Sequence, residues 1–348
     1  MIANSRKNNF NIIRFVAAMM VILGHMCHLM GVDVNLFLGQ AVSTIGVKIF
    51  FLISGYLIAK SYLNDSNILR YGIKRFFRII PGLIGVVLFS VFIVGPIFTR
   101  LPLKEYFFHV TTRNYLKNIA LYIQYFLPGV FENNIYPNAV NGSFWTLPVE
   151  VSMYILLPIV FCVFSKFDKA KISFVIALIL EGISITLGVV KPDAYYVIYA
   201  TDIVSALSIA PYFFLGASFI SEDVRKKLNL QLAVGVLCIV EMLGINATMT
   251  EILVFITLPY FIFSFAFAEL PKFEKCFSKN DFSYGLYLYG FVVQQMLTPT
   301  LTKINLGLNI QFIICAMVTL VFAILSWFII EKPAQKFAKK LLANMSKG

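Results

Sequence analysis

Apolar runs of about twenty residues recur along the chain, separated by short polar breaks. A run of that length matches the hydrocarbon thickness of a bilayer when wound as a helix. The pattern predicts ten spans, near 10–30, 41–63, 79–99, 143–164, 172–190, 203–220, 230–246, 249–268, 283–302 and 308–330. A further stretch, 114–131, is apolar but broken by Lys117, Gln124 and Pro128-Gly129. It reads as a re-entrant or interfacial helix inside the longest loop, Arg100–Asn141. The expected fold is an all-α integral membrane protein, with one multi-pass domain over residues 1–348.

Composition agrees: 59% of the residues are hydrophobic and 13% charged, against about 45–50% and 25% in soluble domains. The first span reads as retained and not as a signal peptide. Arg14, His25 and His28 lie in it or at its end, and no small-residue cleavage site follows. Five scattered cysteines show neither CxxC nor metal-ligand spacing, so neither a disulfide framework nor a metal site is expected. The net charge of +12 is explained by where the cations fall and needs no nucleic acid. With the N-terminus inside, the cytoplasmic segments carry twenty Lys and Arg and the outer ones six. The inner set includes Arg6, Lys7, the Arg70–Arg78 cluster, Lys272, Lys275, Lys279 and Lys347. That bias is the positive-inside pattern, and it places both termini in the cytoplasm.

Within this apolar frame a few polar groups stand out. Arg14 and His25 are eleven residues apart, which puts them within about 20° on one helix face and roughly 16 Å apart along its axis. Ionisable groups inside a span are expensive and tend to be functional. The competing readings are an Arg14 that snorkels to the interface and a His25 that is simply packed. Glu150 sits about two turns into a span that starts from the outer face, at a depth comparable with His25. A carboxylate beside an imidazole fixes its tautomer and stabilises the imidazolium, so His25 and Glu150 are the candidate catalytic pair. The alternative is a Glu150 paired with some other span. Glu181 and Glu241 also lie within spans and read as structural or pore-facing. Arg75 and Arg78, three apart on one face, suit phosphate oxygens. Anionic lipid head groups are the competing ligand for that cluster. Ser54-Gly55, in the run Phe50–Ile58, reads as a point of close helix approach.

In order along the chain, these segments resemble acyltransferase family 3, the integral membrane acyltransferases. The family's Arg-x10-His corresponds to Arg14 and His25, and its Phe-Phe-x-x-Ser-Gly-Tyr to Phe50 through Tyr56. Its Arg-x-x-Arg before a Pro is met by Arg75, Arg78 and Pro81. Its Trp-Thr-Leu-x-x-Glu-x-x-x-Tyr runs from Trp145 through Glu150 to Tyr154, and Glu331-Lys332-Pro333 resembles its ending. Two positions depart from the pattern. Asn11 stands where Asp is frequent, and Gly290 where the Ser-Tyr-x-x-Tyr-Leu-x-His element has His. The chain resembles the stand-alone members of the family, and no appended SGNH-type esterase domain is expected.

The resemblance implies transfer of an acyl group, usually acetyl, from cytoplasmic acetyl-CoA to a hydroxyl of a cell-surface or lipid-linked carbohydrate. The setting would be a bacterial inner or plasma membrane, among membrane lipids. Arg75, Arg78 and Arg14 would then hold the CoA phosphates, with His25 as general base oriented by Glu150. Ser143, Trp145 and Tyr154 are candidate oxyanion donors. A proton-coupled transporter or flippase built on the same Arg, His and Glu groups is the competing class.

Overall fold

Apolar residues cannot leave backbone amides unpaired in a bilayer, and helices satisfy those amides within the segment. The computed structural model describes residues 8–33, 36–243, 246–269 and 280–345. Arg6, Lys7, Lys272, Lys275, Lys279 and Lys347 of the charge pattern, and Cys276, lie outside them. Among the described residues there are eleven principal helices, ten on the apolar runs and the last on the basic tail: α1 (Phe10–Met30), α2 (Val42–Asn64), α3 (Ile68–Phe89), α4 (Thr146–Val163), α5 (Lys169–Val190), α6 (Ile203–Ser218), α7 (Leu230–Met242), α8 (Ala247–Phe267), α9 (Ser283–Lys303), α10 (Leu308–Ser326) and α11 (Lys332–Met345). A π turn, Ser90–Val94, carries α3 on to Phe98, and another, Trp327–Glu331, joins α10 to α11. The strands described are two short antiparallel hairpins, Leu36–Phe37 with Gln40–Ala41 and Val197–Ile198 with Thr201–Asp202.

Seven stretches are long and apolar enough to cross a membrane, on α1, α2, α3, α4, α5, α8 and α10. The other three expected spans fall on α6, α7 and α9. α6 and α7 have 16 and 13 residues, about 24 and 20 Å of helix. α9 has 21 residues but includes Tyr284, Tyr287, Tyr289, Gln294, Gln295 and three threonines. Most of its first four turns is buried against other helices.

Two expectations are corrected. The helix of the third span begins at Ile68, well before the apolar run expected from 79, so the Arg70–Arg78 cluster lies on its first turns. The helix expected over 114–131 does not form. A short helix, Val110–Tyr115, tightens into a 3-10 turn, Leu116–Ala120, and stops where Leu121 turns left-handed at φ 63°. Asn118 explains the stop. Its side-chain amide donates to the carbonyls of Tyr115 and Gln124, and its side-chain oxygen accepts from the Gln124 amide. These bonds close a loop that a continuing helix would have to break.

α2 packs most extensively against α1 and α6. A Cβ placed on Gly55 would lie 1.8 Å from the Phe213 carbonyl oxygen, and one on Gly216 would lie 2.0 Å from that of Leu52. The two glycines let the backbones of α2 and α6 touch, which turns the Ser54 side of α2 toward α4. The start of α1 is tied to the end of α8 by the Asn9 side-chain amide, which donates to the carbonyls of Phe265 (2.8 Å) and Ala268 (2.9 Å).

The crossing sets a test. Gly55→Ala forces backbone apart at a site with no side chain to yield, so it should cost at least about 1–3 kcal/mol. Gly182→Ala, where nothing lies within 4 Å of the new atom, should be neutral or slightly stabilising. Thermal unfolding of the purified variants in detergent measures the difference; equal melting temperatures would refute the close crossing.

Candidate active site

Five helices, α1, α2, α3, α4 and α9, surround a cavity of about 270 Å³. Arg14 enters it from α1, Ser54 from α2, Arg75 and Arg78 from α3, Glu150 and Tyr154 from α4, and Tyr284 and Tyr287 from α9. Helical spacing explains the clustering. Arg75 and Arg78 are one turn apart on α3, as are Glu150 and Tyr154 on α4 and Tyr284 and Tyr287 on α9.

Asp281, two residues before α9, joins the arginines. Its Oδ2 accepts from Arg14 Nη1 at 3.0 Å and from Arg78 Nη2 at 2.7 Å. Its Oδ1 accepts from the Ser283 hydroxyl at 2.5 Å and the Ser283 amide at 3.2 Å. Burial opposes the charge on this carboxyl, but Arg78 and Arg14 outweigh it and hold its pKa down at about 2. Arg78 also lies over the Tyr284 ring, 5.6 Å from its centre. Arg75 is held differently, with its guanidinium over the rings of Tyr71 and Tyr154, at 5.9 Å from each. Its Nε is buried and has no hydrogen-bond partner among the described residues.

Glu150 accepts from the Ser54 hydroxyl at 3.1 Å and from the Tyr154 hydroxyl. The Tyr154 backbone carbonyl, which Pro158 cannot bond because proline lacks an N–H, accepts from the Tyr71 hydroxyl at 2.8 Å. At the other end of the cavity the Thr146 and Tyr287 hydroxyls are 2.5 Å apart. Tyr287 also donates to the Ser143 carbonyl, and its ring meets Phe50 edge to face at 5.8 Å.

Four of the five sequence-predicted site residues, Arg14, Arg75, Arg78 and Glu150, therefore share one cavity. His25 is outside it. Its half-buried ring packs edge to face on Phe291 at 5.2 Å, one turn of α9 beyond Tyr287. The expected contact between Glu150 and His25 is thus corrected: among the described residues the hydrogen bonds to the Glu150 carboxylate come from Ser54 and Tyr154. Depth accounts for it. Glu150 lies on the second turn of a helix that starts only at Thr146 and shares the cavity with Arg75, whereas Gly24, next to His25, meets Ser43 at the far end of α2. Ser54-Gly55 does more than expected, since Gly55 makes the close crossing and Ser54 reaches Glu150. Of the candidate oxyanion donors, Tyr154 lines the cavity.

Buried charges outside the cavity lining include Lys48 on α2, Glu181 on α5 and Glu331, which accepts from the Ser326 hydroxyl at 2.9 Å. Lys48 donates to Glu251 at 2.5 Å and to Gln40 at 2.8 Å, and Glu241 accepts from the Leu38 amide. Among the described residues no group of three or more His, Cys, Asp or Glu side chains could hold a metal ion.

Residues 7–328 match the acyltransferase 3 family, described as an acyltransferase domain. The chain belongs to that family. It is an acyltransferase, which decides between the enzyme and transporter classes. An O-acetyl transferase of Shigella phage Sf6 is 28% identical over 94% of this chain and 96% of its own length. Nodulation protein 10 of Rhizobium leguminosarum bv. viciae is 26% identical, over 98% and 97%. Peptidoglycan O-acetyltransferase OatA of Listeria monocytogenes is 27% identical over 84% of this chain but only 51% of its own length. No solved structure matches the chain.

The residue that sequence reasoning missed in this acyltransferase is Asp281. Its one signal was position, an acid two residues before the Ser283-Tyr284 element. The expected consequence is a stability effect in acid. A carboxyl with pKa about 2 when folded and about 3.9 when unfolded stabilises the fold above pH 4. That contribution is lost as pH falls from about 4 to 2. Thermal unfolding followed across that range should show a shallower decline for Asp281→Asn than for the wild type; identical acid limbs would contradict the bridge.

Proposed function

We propose that the protein is a membrane O-acetyltransferase that moves an acetyl group from cytoplasmic acetyl-CoA to a hydroxyl of a cell-surface or lipid-linked carbohydrate. The observation that carries this reading is the convergence of Arg14, Arg75 and Arg78 on one cavity. Guanidinium forks bind phosphate oxygens in pairs, and CoA is a polyanion with a long flexible arm. The names of the phage and Listeria relatives support acetyl as the group, and that of the Listeria protein supports a carbohydrate acceptor.

In this reading the arginines hold the donor's phosphates and the pantetheine arm extends along α1. Arg14 and His25, about 16 Å apart by helical rise, mark its two ends. His25 takes the proton from the acceptor hydroxyl as it attacks the thioester, a general-base role worth about 10²–10⁴-fold. The carbon–oxygen bond forms, the carbon–sulfur bond breaks and CoA leaves. Glu150, paired with Ser54 and Tyr154, acts on the donor side, where its charge orients those two hydroxyls. The bundle crosses the membrane ten times as a single domain, with both termini in the cytoplasm and Arg100–Asn141 outside. The charge bias supports that orientation.

Two variants test the chemistry. Arg75→Ala with Arg78→Ala should raise the dissociation constant for acetyl-CoA about tenfold or more, since hydrogen bonds to charged groups are worth about 1.5–3 kcal/mol. His25→Gln should bind acetyl-CoA normally and lose acetyl transfer, measured by mass spectrometry of surface glycans from cells carrying each variant. Normal donor binding in the first, or normal acetylation in the second, would defeat the assignment.

Orientation is tested separately. A cysteine introduced at Asn134 should react with a membrane-impermeant thiol reagent on intact cells, and one at Lys226 should not. The reverse pattern would invert the topology.

A further inference from the structure

We infer that Asp281 is a positioning residue for the acyl donor, holding Arg14 and Arg78 together so that their free N–H groups meet its phosphates. The inference rests on the reading of the cavity as an acetyl-CoA site. Like charges on α1 and α3 would separate if left to themselves. Here two guanidinium groups bond to a single carboxylate oxygen, at 3.0 and 2.7 Å. The other oxygen of that carboxylate is fixed by the hydroxyl and amide of Ser283. The carboxyl group therefore cannot turn away, and the start of α9 sets the spacing of the two cations.

The cost of the arrangement in donors is small. Each guanidinium has five N–H groups and gives one to Asp281. Arg14, Asp281 and Arg78 have side chains 18%, 13% and 24% exposed, so the bridge lies at the cavity and not in bulk solvent. Screening by water and salt is weak at such a place, and a preset pair of forks avoids the ordering that a phosphate would otherwise have to impose. Arg75 completes the set without a carboxylate, lying against the faces of Tyr71 and Tyr154. The three cations and Asp281 thus leave a net positive surface for an anion.

Two probes separate positioning from general structural support: acetyl-CoA, and acetyl-pantetheine, which has the same thioester and arm but no phosphate. Dissociation constants are measured on purified protein in detergent. In Asp281→Asn, which keeps the size and loses the charge, binding of acetyl-CoA should weaken about tenfold while binding of acetyl-pantetheine stays unchanged. Asp281→Glu, which keeps the charge, should recover part of the loss. Equal weakening toward both probes would make Asp281 a structural residue and overturn the inference. Tighter binding of acetyl-CoA would also overturn it, since Asp281 would then be a competitor of the phosphates. Should Asp281→Asn fail to fold, Ser283→Ala removes one of the two bonds that hold the second carboxylate oxygen and should shift the ratio of the two constants in the same direction by a few fold; an unchanged ratio refutes the inference. Arg78→Ala, run in parallel, distinguishes the two failures. If it too leaves the ratio unchanged, the acetyl-CoA reading of the cavity falls and takes the role of Asp281 with it.

Discussion

Two guanidinium groups meeting on one carboxylate oxygen is the interaction around which the site is built. Arg14 comes from α1, Arg78 from α3, and Asp281 stands at the entry to α9. Inside an apolar bundle an unpaired cation is costly and a pair of adjacent cations more so. The bridge removes that penalty and joins three helices far apart in sequence. On the function proposed above, it also sets two cations side by side where a polyanionic donor would bind.

Around this bridge, contacts of a different kind set the depth of each group. The backbone crossing at Gly55 and Gly216 rotates α2 so that Ser54 looks toward α4. The hydrogen bond from Tyr71 to the carbonyl that Pro158 leaves free ties α3 to α4. Arg75 and Glu150 line one cavity. A proline that merely broke a helix would weaken the fold, but here its loss of one backbone bond creates a bond between helices.

His25 lies apart from this cavity. The arginines and Glu150 lie on one side of the Phe50–Tyr287 contact, and His25 lies with Phe291 one turn further along α9. On the function proposed above, donor recognition and acceptor activation belong to different places on α1. Such a division suits an enzyme whose two substrates come from opposite sides of a membrane, and it matches the eleven-residue spacing of Arg14 and His25. The length of a flexible donor arm can bridge the gap without a large movement of the helices.

The apolar runs by themselves were enough to place ten of the eleven principal helices. Each span's character depends on local composition, and helical periodicity puts Arg75 with Arg78, or Glu150 with Tyr154, on a common face. Motif order also pointed to the family to which the chain belongs. Partner choice between helices was not legible in the same way. Glu150 was expected beside His25 and pairs with Ser54 and Tyr154, because pairing depends on the rotation and depth of each helix, which crossings such as Gly55 against Gly216 decide. Asp281 shows the same limit: a single acid outside any periodic segment gains its meaning only when α1 and α3 bring two arginines to it. The loop at 114–131 fails as a helix for a related reason, since Asn118 finds its bonds across a turn that apolar composition alone does not reveal.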